Sequence, residues 1–234
     1  MANAPEQVRA QARGRSIDGE FRQLFTIMST RSFRHGTSTG GEQPYYIYDY
    51  PPAEELDVRQ HIENLIRDLQ QITPADADDY APRILHLDLY ADVALPILEQ
   101  RHVLDRLLER EDNMHGTVSA NPQTDRFLNV LIGALTGDSD VTARFIADRV
   151  NEARAAHEAD IVFLTGIGAV YPYMRAHLLL ENLQGYVDDC PLVLFYPGTY
   201  TQGSASGSSL KLFDALENNN YYRARRLLNM PVDD

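Results

Sequence analysis

The sequence predicts an α/β fold with a mostly parallel sheet flanked by helices, a Rossmann-like or degenerate P-loop-like three-layer sandwich, and an extra N-terminal helix. Two observations support this prediction. Short apolar runs such as "DIVFLTGIG" lack polar alternation, which is typical of strands buried on both faces. Amphipathic segments with helical spacing separate these runs, as expected where crossover helices connect parallel strands.

The predicted elements alternate along the chain. An amphipathic helix over residues 4–30 leads through a polar loop to the first strand, and Pro51 and Pro52 then open the next helix. The predicted strands are 45–50, 83–90, 160–168 and 191–198. The other predicted helices are 53–72, 91–110, 123–135, 139–157, 172–184, 207–216 and 219–229.

Length, composition and net charge limit the possible domain organisation and the possible classes of partner. At 234 residues and 44% hydrophobic content, residues 1–234 are interpreted as one domain, with a helical arm and loop at 1–40 and an α/β core at 41–234. A net charge of −13 argues against tight binding of duplex nucleic acid, because affinity for phosphates comes mostly from clustered Lys and Arg. The lone Cys190, the lack of a signal peptide and the lack of a membrane-spanning apolar run predict a cytoplasmic protein.

The glycine- and serine-rich stretch at 198–209 follows an apolar strand, which is the order of elements in a phosphate-binding P-loop. Gly198 and Gly203 have the required glycine spacing, but Ser204 stands where the lysine should be. Without that lysine, nucleotide hydrolysis loses its main electrostatic support. The stretch is therefore interpreted as a loop whose serine caps the helix 207–216. A weak anion site at that helix N-terminus is the alternative.

Polar residues at the predicted strand ends are the other candidates for chemistry. Asp49, His86 and Asp88 could form a Mg²⁺ or acid–base site, because ligands bind at the carboxyl ends of parallel strands. The competing interpretation is that the aspartates cap the following helices and the histidine is a hydrogen-bonded core residue. A nucleotide-binding or metal-dependent enzyme that uses Asp49, Asp88 and the 198–209 loop is thus the alternative function.

The stretch "TGIGAVYPYMRAH" connects a strand to a helix. Gly166 and Gly168 begin a dinucleotide-binding pattern, but Tyr171 replaces its third glycine and would block the close contact between helix and strand. Aromatic residues beside arginine at the end of a strand favour a protein-binding surface. The candidate partner-binding residues here are Tyr171, Tyr173, Arg175 and His177.

Several motifs together resemble one family. They are T-G-x-G-x-x-Y-P, F-Y-P-G-x-Y, G-S-S-L-x-L-F and N-Y-Y-R-A, densest over residues 159–227. In this combination they resemble the BrxB family of bacterial BREX (bacteriophage exclusion) phage-defence systems. The resemblance implies a non-catalytic component of a multiprotein assembly, associated with the PglZ-type protein of the alkaline-phosphatase superfamily. It implies no catalytic residue, cofactor or metal ligand.

The C-terminal stretch "ENNNYYRARRLLNM" offers a second candidate surface. In a helix over 219–229, apolar residues can face the sheet while Arg223, Arg225 and Arg226 stay at the surface. Such arginines could pair with carboxylates of a partner. The alternative is that they balance the acidic surface of their own chain. The residues expected to face the sheet are Tyr222, Leu227 and Met230.

Overall fold

The computed structural model describes residues 16–40, 43–114, 125–136, 140–203, 207–213, 216–219 and 224–232. The α-helices are α1 Ile17–Ser29, α2 Arg31–Arg34, α3 Glu55–Gln70, α4 Leu95–Gln100, α5 Leu104–Met114, α6 Arg126–Thr136, α7 Val141–Ala155 and α8 Ala176–Leu183. The strands are β1 Tyr45–Tyr50, β2 Ile84–Asp88, β3 Ile161–Thr165, β4 Leu192–Gly203, β5 Gly207–Leu212, β6 Leu216–Asn219 and β7 Arg225–Arg226. Two 3-10 helices, Pro52–Glu54 and Leu227–Asn229, and a π-helix, Leu89–Ala94, complete the described elements.

The strands form a seven-stranded sheet with a parallel centre. Its central path runs β2-β3-β4-β1-β7, and each neighbouring pair on that path is parallel. Strand β4 continues beyond the parallel centre and pairs antiparallel with β5, which in turn pairs antiparallel with β6. The mostly parallel α/β sheet predicted from the sequence is confirmed, with an antiparallel extension added at the carboxyl end of β4.

Successive residues of the central strands point to opposite faces of the sheet, and both faces are covered. Tyr48, Phe163 and Phe195 pack in a buried cluster with the apolar residues of α1 and α3. Their neighbours Leu164 and Leu194 lie in a second cluster with residues of α4 to α8. This arrangement confirms the three-layer prediction and explains why β3 and the start of β4 are apolar at successive positions.

The extra N-terminal helix is part of the first of these layers. Helix α1 begins at the capping residue Ser16, whose side chain accepts a hydrogen bond from the backbone N–H of Gly19. Its buried Phe21 meets the ring of Tyr48 edge-on, with 5.4 Å between ring centroids. Helix α1 therefore covers β1 directly.

The two helices predicted at the C-terminus are wrong. Residues 207–216 and 219–229 instead supply β5, β6, β7 and a 3-10 helix, while residues 214–215 and 220–223 lie outside the described part of the chain. Leu210 and Leu212 are buried, and this spacing of two residues is the repeat of a strand rather than a helix. The partner that stabilises it is the long strand β4, in which Tyr200 lies opposite Leu210.

The predicted helix at 172–184 begins later than expected. Residues 167–173 form consecutive turns, and α8 starts at Ala176. The predicted helix at 91–110 is divided into the π-helix, α4 and α5. Both departures lie directly after strands, and at the end of β2 the side chain of Asp88 caps the π-helix.

Candidate functional site

Asp49 lies at the carboxyl end of β1 and is only 2% exposed. Its Oδ1 accepts a hydrogen bond from Nε of Arg226 at 2.6 Å, which makes an ion pair with β7. Its Oδ2 accepts a hydrogen bond from the backbone N–H of Tyr200 at 3.1 Å. One carboxylate thus links β1 to the extension of β4 and to the last strand.

Asp88 at the end of β2 also serves its own chain. Its Oδ1 accepts hydrogen bonds from the backbone N–H groups of Tyr90 and Ala91, at 2.9 and 3.0 Å, and so caps the π-helix. Gly166, with φ of +77°, lies against the same carboxylate, because a Cβ built there would come within 2.7 Å of Asp88 Oδ2. Helix capping, the competing interpretation of this aspartate, is what the structure shows.

His86 completes the set of strand-end candidates. Its Nε2 lies 2.9 Å from the hydroxyl oxygen of Thr165 on β3. His86, Asp88 and Thr165 line a cavity of about 170 Å³ together with Arg59, Ile62 and Glu63. This is the place in the described structure where the polar residues of two strand ends meet.

The structure does not bring Asp49 to that cavity. Strands β1 and β2 are separated by β4 and β3, so the two aspartates are about 14 Å apart at the usual strand spacing. Within the ranges that the structure describes, no group of three or more His, Cys, Asp or Glu side chains could hold a metal ion. The combination of Asp49, His86 and Asp88 that was considered from the sequence is therefore not a single site.

The stretch interpreted as a phosphate loop belongs mostly to two paired strands. Residues 198–203 end β4, residues 207–209 begin β5, and residues 204–206 lie outside the described ranges. A Cβ built on Gly198 would come within 2.1 Å of the carbonyl oxygen of Lys211, so this glycine permits the close approach of β5. Because β5 follows instead of a helix, the predicted serine cap of a helix at 207–216 is wrong, and the alternative of an anion site at that helix N-terminus loses its basis.

The candidate surface from Tyr171 to His177 divides into parts with different surroundings. Tyr171 meets the ring of Phe213 edge-on at 6.3 Å between centroids. Tyr173 donates a hydrogen bond from its hydroxyl to the carbonyl oxygen of Ala169 at 3.0 Å, and burial raises its pKa to about 12. His177 is 7% exposed, and burial lowers its pKa. Tyr171 and Tyr173 thus contact other residues of the fold, and His177 is buried in it.

Tyr173 and Arg175 line an apolar groove, here called the α8 groove, with a volume of about 330 Å³. The groove lies between the end of α6, the start of α7 and the start of α8. Of the described residues that line it, Arg175 alone carries a charge. Its apolar walls include Leu135, Ala143, Pro172, Met174, Leu178 and Leu179.

Leu178 is the residue of this groove that the sequence analysis missed. It is 46% exposed, whereas the adjacent Leu179 and Leu180 are 4% and 1% exposed. Three consecutive leucines in a helix span too wide an arc for all of them to face one core. The triplet in "RAHLLL" was therefore the signal that one leucine points outward, although it could not show which.

The C-terminal arginines lie close to their own chain. Besides the ion pair of Arg226 with Asp49, Arg225 donates a hydrogen bond to the carbonyl oxygen of Thr39 at 3.0 Å. Leu227 and Met230 are buried, as expected. Tyr222 and Arg223 lie outside the described residues.

Comparison with known proteins identifies the family. The sequence profile described as BREX protein BrxB matches residues 85–227. The chain belongs to the BrxB family. A "BREX protein BrxB" of Bacillus cereus strain H3081.97 is 35% identical over 217 residues, covering 92% of this chain and 99% of the relative. A second, from Escherichia coli O9:H4 strain HS, is 32% identical over 206 residues and 88% of each chain.

BrxB membership confirms the resemblance seen in the motifs and connects the chain to BREX phage defence. No solved structure matches the chain significantly. Among the described helices, none combines the length and the apolar character needed to span a bilayer. The matched segment includes His86, Asp88 and the α8 groove, whereas Asp49 on β1 lies outside it.

Proposed function

We propose that this BrxB protein is a non-catalytic subunit of a BREX phage-defence assembly and acts in the cytoplasm by binding another protein. The proposed partner is the PglZ-type protein, and the proposed contact is the α8 groove with Tyr173 and Arg175. The whole chain is proposed to act as one domain. No cofactor is assigned to it.

The observation that carries this proposal is the combination of residues in the α8 groove. Leu178 exposes almost half of its side chain beside buried apolar walls, and Tyr173 and Arg175 lie next to it. Tyrosine and arginine are enriched among the residues that dominate the binding energy of interfaces. An apolar centre with a polar edge is the usual organisation of such contacts.

The enzyme alternative has weaker support in the geometry. Asp49 and Asp88 both accept hydrogen bonds from their own chain, and they occupy separate strand ends. The best location for an enzyme site is the 170 Å³ cavity beside His86 and Asp88. Hydrolysis of Mg-ATP by the purified chain, lost in Asp88→Ala, would favour that alternative over the proposal.

Affinity purification from cells that express the whole defence locus tests the proposal. The tagged wild-type chain is expected to retain the PglZ-type protein, and Leu178→Asp is expected to lose it. Leu56→Asp is the matched control, because Leu56 is 79% exposed on α3, on the opposite side of the sheet. The proposal fails if the wild-type chain retains no PglZ-type protein, or if Leu178→Asp and Leu56→Asp both retain it fully.

A further inference from the structure

The charge at the edge of the α8 groove indicates what kind of partner segment it accepts. We infer that the groove binds a short segment in which apolar side chains lie beside an Asp or Glu, with the carboxylate paired to Arg175. This inference rests on the proposed function, since it assumes that the groove is the docking surface. It adds the chemistry of the occupant.

Arg175 is available for such a pair. Its side chain is exposed, and no hydrogen bond or ion pair joins its guanidinium group to another residue in the part of the chain that the structure describes. Several other arginines near the surface are already paired, for example Arg83 with Asp160 and Arg144 with Asp140, each at 2.8 Å. In a protein of net charge −13, an unpaired arginine beside an apolar groove is complementary to a carboxylate.

The start of helix α8 adds to this complementarity. Arg175 is the N-cap residue, and no side chain makes a capping hydrogen bond there. The first N–H groups of a helix lack partners within the helix and carry partial positive charge. A carboxylate held by the guanidinium group of Arg175 would thus lie near further donors, which strengthens charge-assisted hydrogen bonding.

The volume of the groove bounds the apolar part of the segment. An apolar cavity of about 150 Å³ is large enough for a benzene ring. The groove measures about 330 Å³, so it has room for about two side chains of that size. The expected segment therefore places two large apolar residues, such as Leu or Phe, next to one acidic residue.

Titration of the purified PglZ-type protein against the immobilised full-length chain tests this inference. Arg175→Glu is expected to weaken binding about tenfold or more, because it replaces an attractive charge with a repulsive one at the edge of the groove. Arg175→Lys keeps the charge but not the bidentate geometry, so a loss of about threefold is expected. Arg149→Glu is the control, because Arg149 is exposed on α7 and its substitution by Glu changes the net charge by the same amount.

A charge exchange identifies the acidic residue. Single Asp→Lys and Glu→Lys variants of the PglZ-type protein are titrated against the Arg175→Glu chain, and one of them is expected to restore binding. The inference is overturned if none restores it, if Arg175→Glu binds as tightly as the wild type, or if Arg175→Glu lowers the thermal midpoint as well as affinity. In each case docking of the PglZ-type protein at the α8 groove still holds, without a role for Arg175, as long as the wild-type chain binds and Leu178→Asp does not.

Discussion

The carboxyl ends of the strands and the α8 groove use their polar groups in opposite ways. At the strand ends, Asp49 and Asp88 accept hydrogen bonds from backbone or arginine groups of their own chain. At the groove, Arg175 has no such partner among the described residues, and Leu178 is 46% exposed. The carboxylates at the strand ends stabilise the fold. The α8 groove instead presents a charged group without a partner in the described residues and an exposed leucine, as expected of the proposed docking site.

This difference matters because strand ends are the usual location of ligand sites in open parallel sheets. An aspartate that is predicted from the sequence to lie at a strand end is therefore readily interpreted as catalytic. In this BrxB protein the carboxylates at those positions replace missing backbone contacts where the chain leaves the sheet. Substitutions at Asp49, Asp88 and Leu178 test whether the two regions differ in this way.

Asp49→Ala is expected to lower the free energy of unfolding by roughly 2–4 kcal/mol, because it removes the buried carboxylate that accepts hydrogen bonds from the guanidinium of Arg226 and the N–H of Tyr200. Urea unfolding followed by circular dichroism measures the loss. Asp49→Asn is the control, since it retains a carbonyl oxygen for Tyr200 and should cost less. A change below about 0.5 kcal/mol in Asp49→Ala would show that this carboxylate is not structural.

Asp88→Ala removes the cap of the π-helix and is expected to lower the free energy of unfolding by about 1 kcal/mol. Partner binding should not change, because the residue lies outside the α8 groove. Thermal unfolding and the pull-down of the PglZ-type protein are measured on the same preparation. Asp88→Asn keeps an acceptor oxygen and should recover most of the stability. Lost binding with unchanged stability would reverse the comparison between the two regions.

Leu178→Ala should change the free energy of unfolding by less than about 0.5 kcal/mol while weakening the partner complex. Its matched control is Leu180→Ala, the same substitution two residues along α8 at a position only 1% exposed. Truncating a buried leucine costs about 2–5 kcal/mol, so this control should show the opposite pattern of lost stability. Equal loss of stability in both variants would mean that Leu178 is a core residue and not part of a docking surface.

Much of the fold could be predicted because its central strands are buried on both faces. The first strand was predicted at 45–50 and is observed at Tyr45–Tyr50, and the strand predicted at 160–168 is observed at Ile161–Thr165. Continuous apolar runs of this kind cannot be satisfied at a surface. The helices between them were recognisable from apolar residues at helical spacing, for example in α7.

The C-terminal region could not be predicted in the same way. Leu210 and Leu212 are compatible with either a helix or a strand over so short a stretch, and the antiparallel pairing with β4, the preceding strand, decided between them. The ion pair of Arg226 with Asp49 joins residues that are 177 positions apart in sequence. Nothing local to the arginine-rich stretch indicates that partner.

The candidate surface was partly predictable. Tyr173 and Arg175 were recognised from their residue types at the end of a strand, and the structure places both on the α8 groove. Leu178 was not recognised, because its exposure depends on where α8 begins and how α6 and α7 pack beside it. Successive leucines of α8 point in different directions around the helix axis, and the packing of the helix against its neighbours decides which of them faces outward.

The family, the parallel centre of the sheet and the absence of a P-loop lysine could all be predicted from residue types and spacings within short stretches. Which polar groups are already paired is visible only in the folded chain. Asp49, Asp88 and Arg226 are engaged within the chain, whereas Arg175 has no partner in the described residues. The physical reason is that a hydrogen bond or ion pair depends on distance in space, and contacts between remote segments leave no local pattern in the sequence.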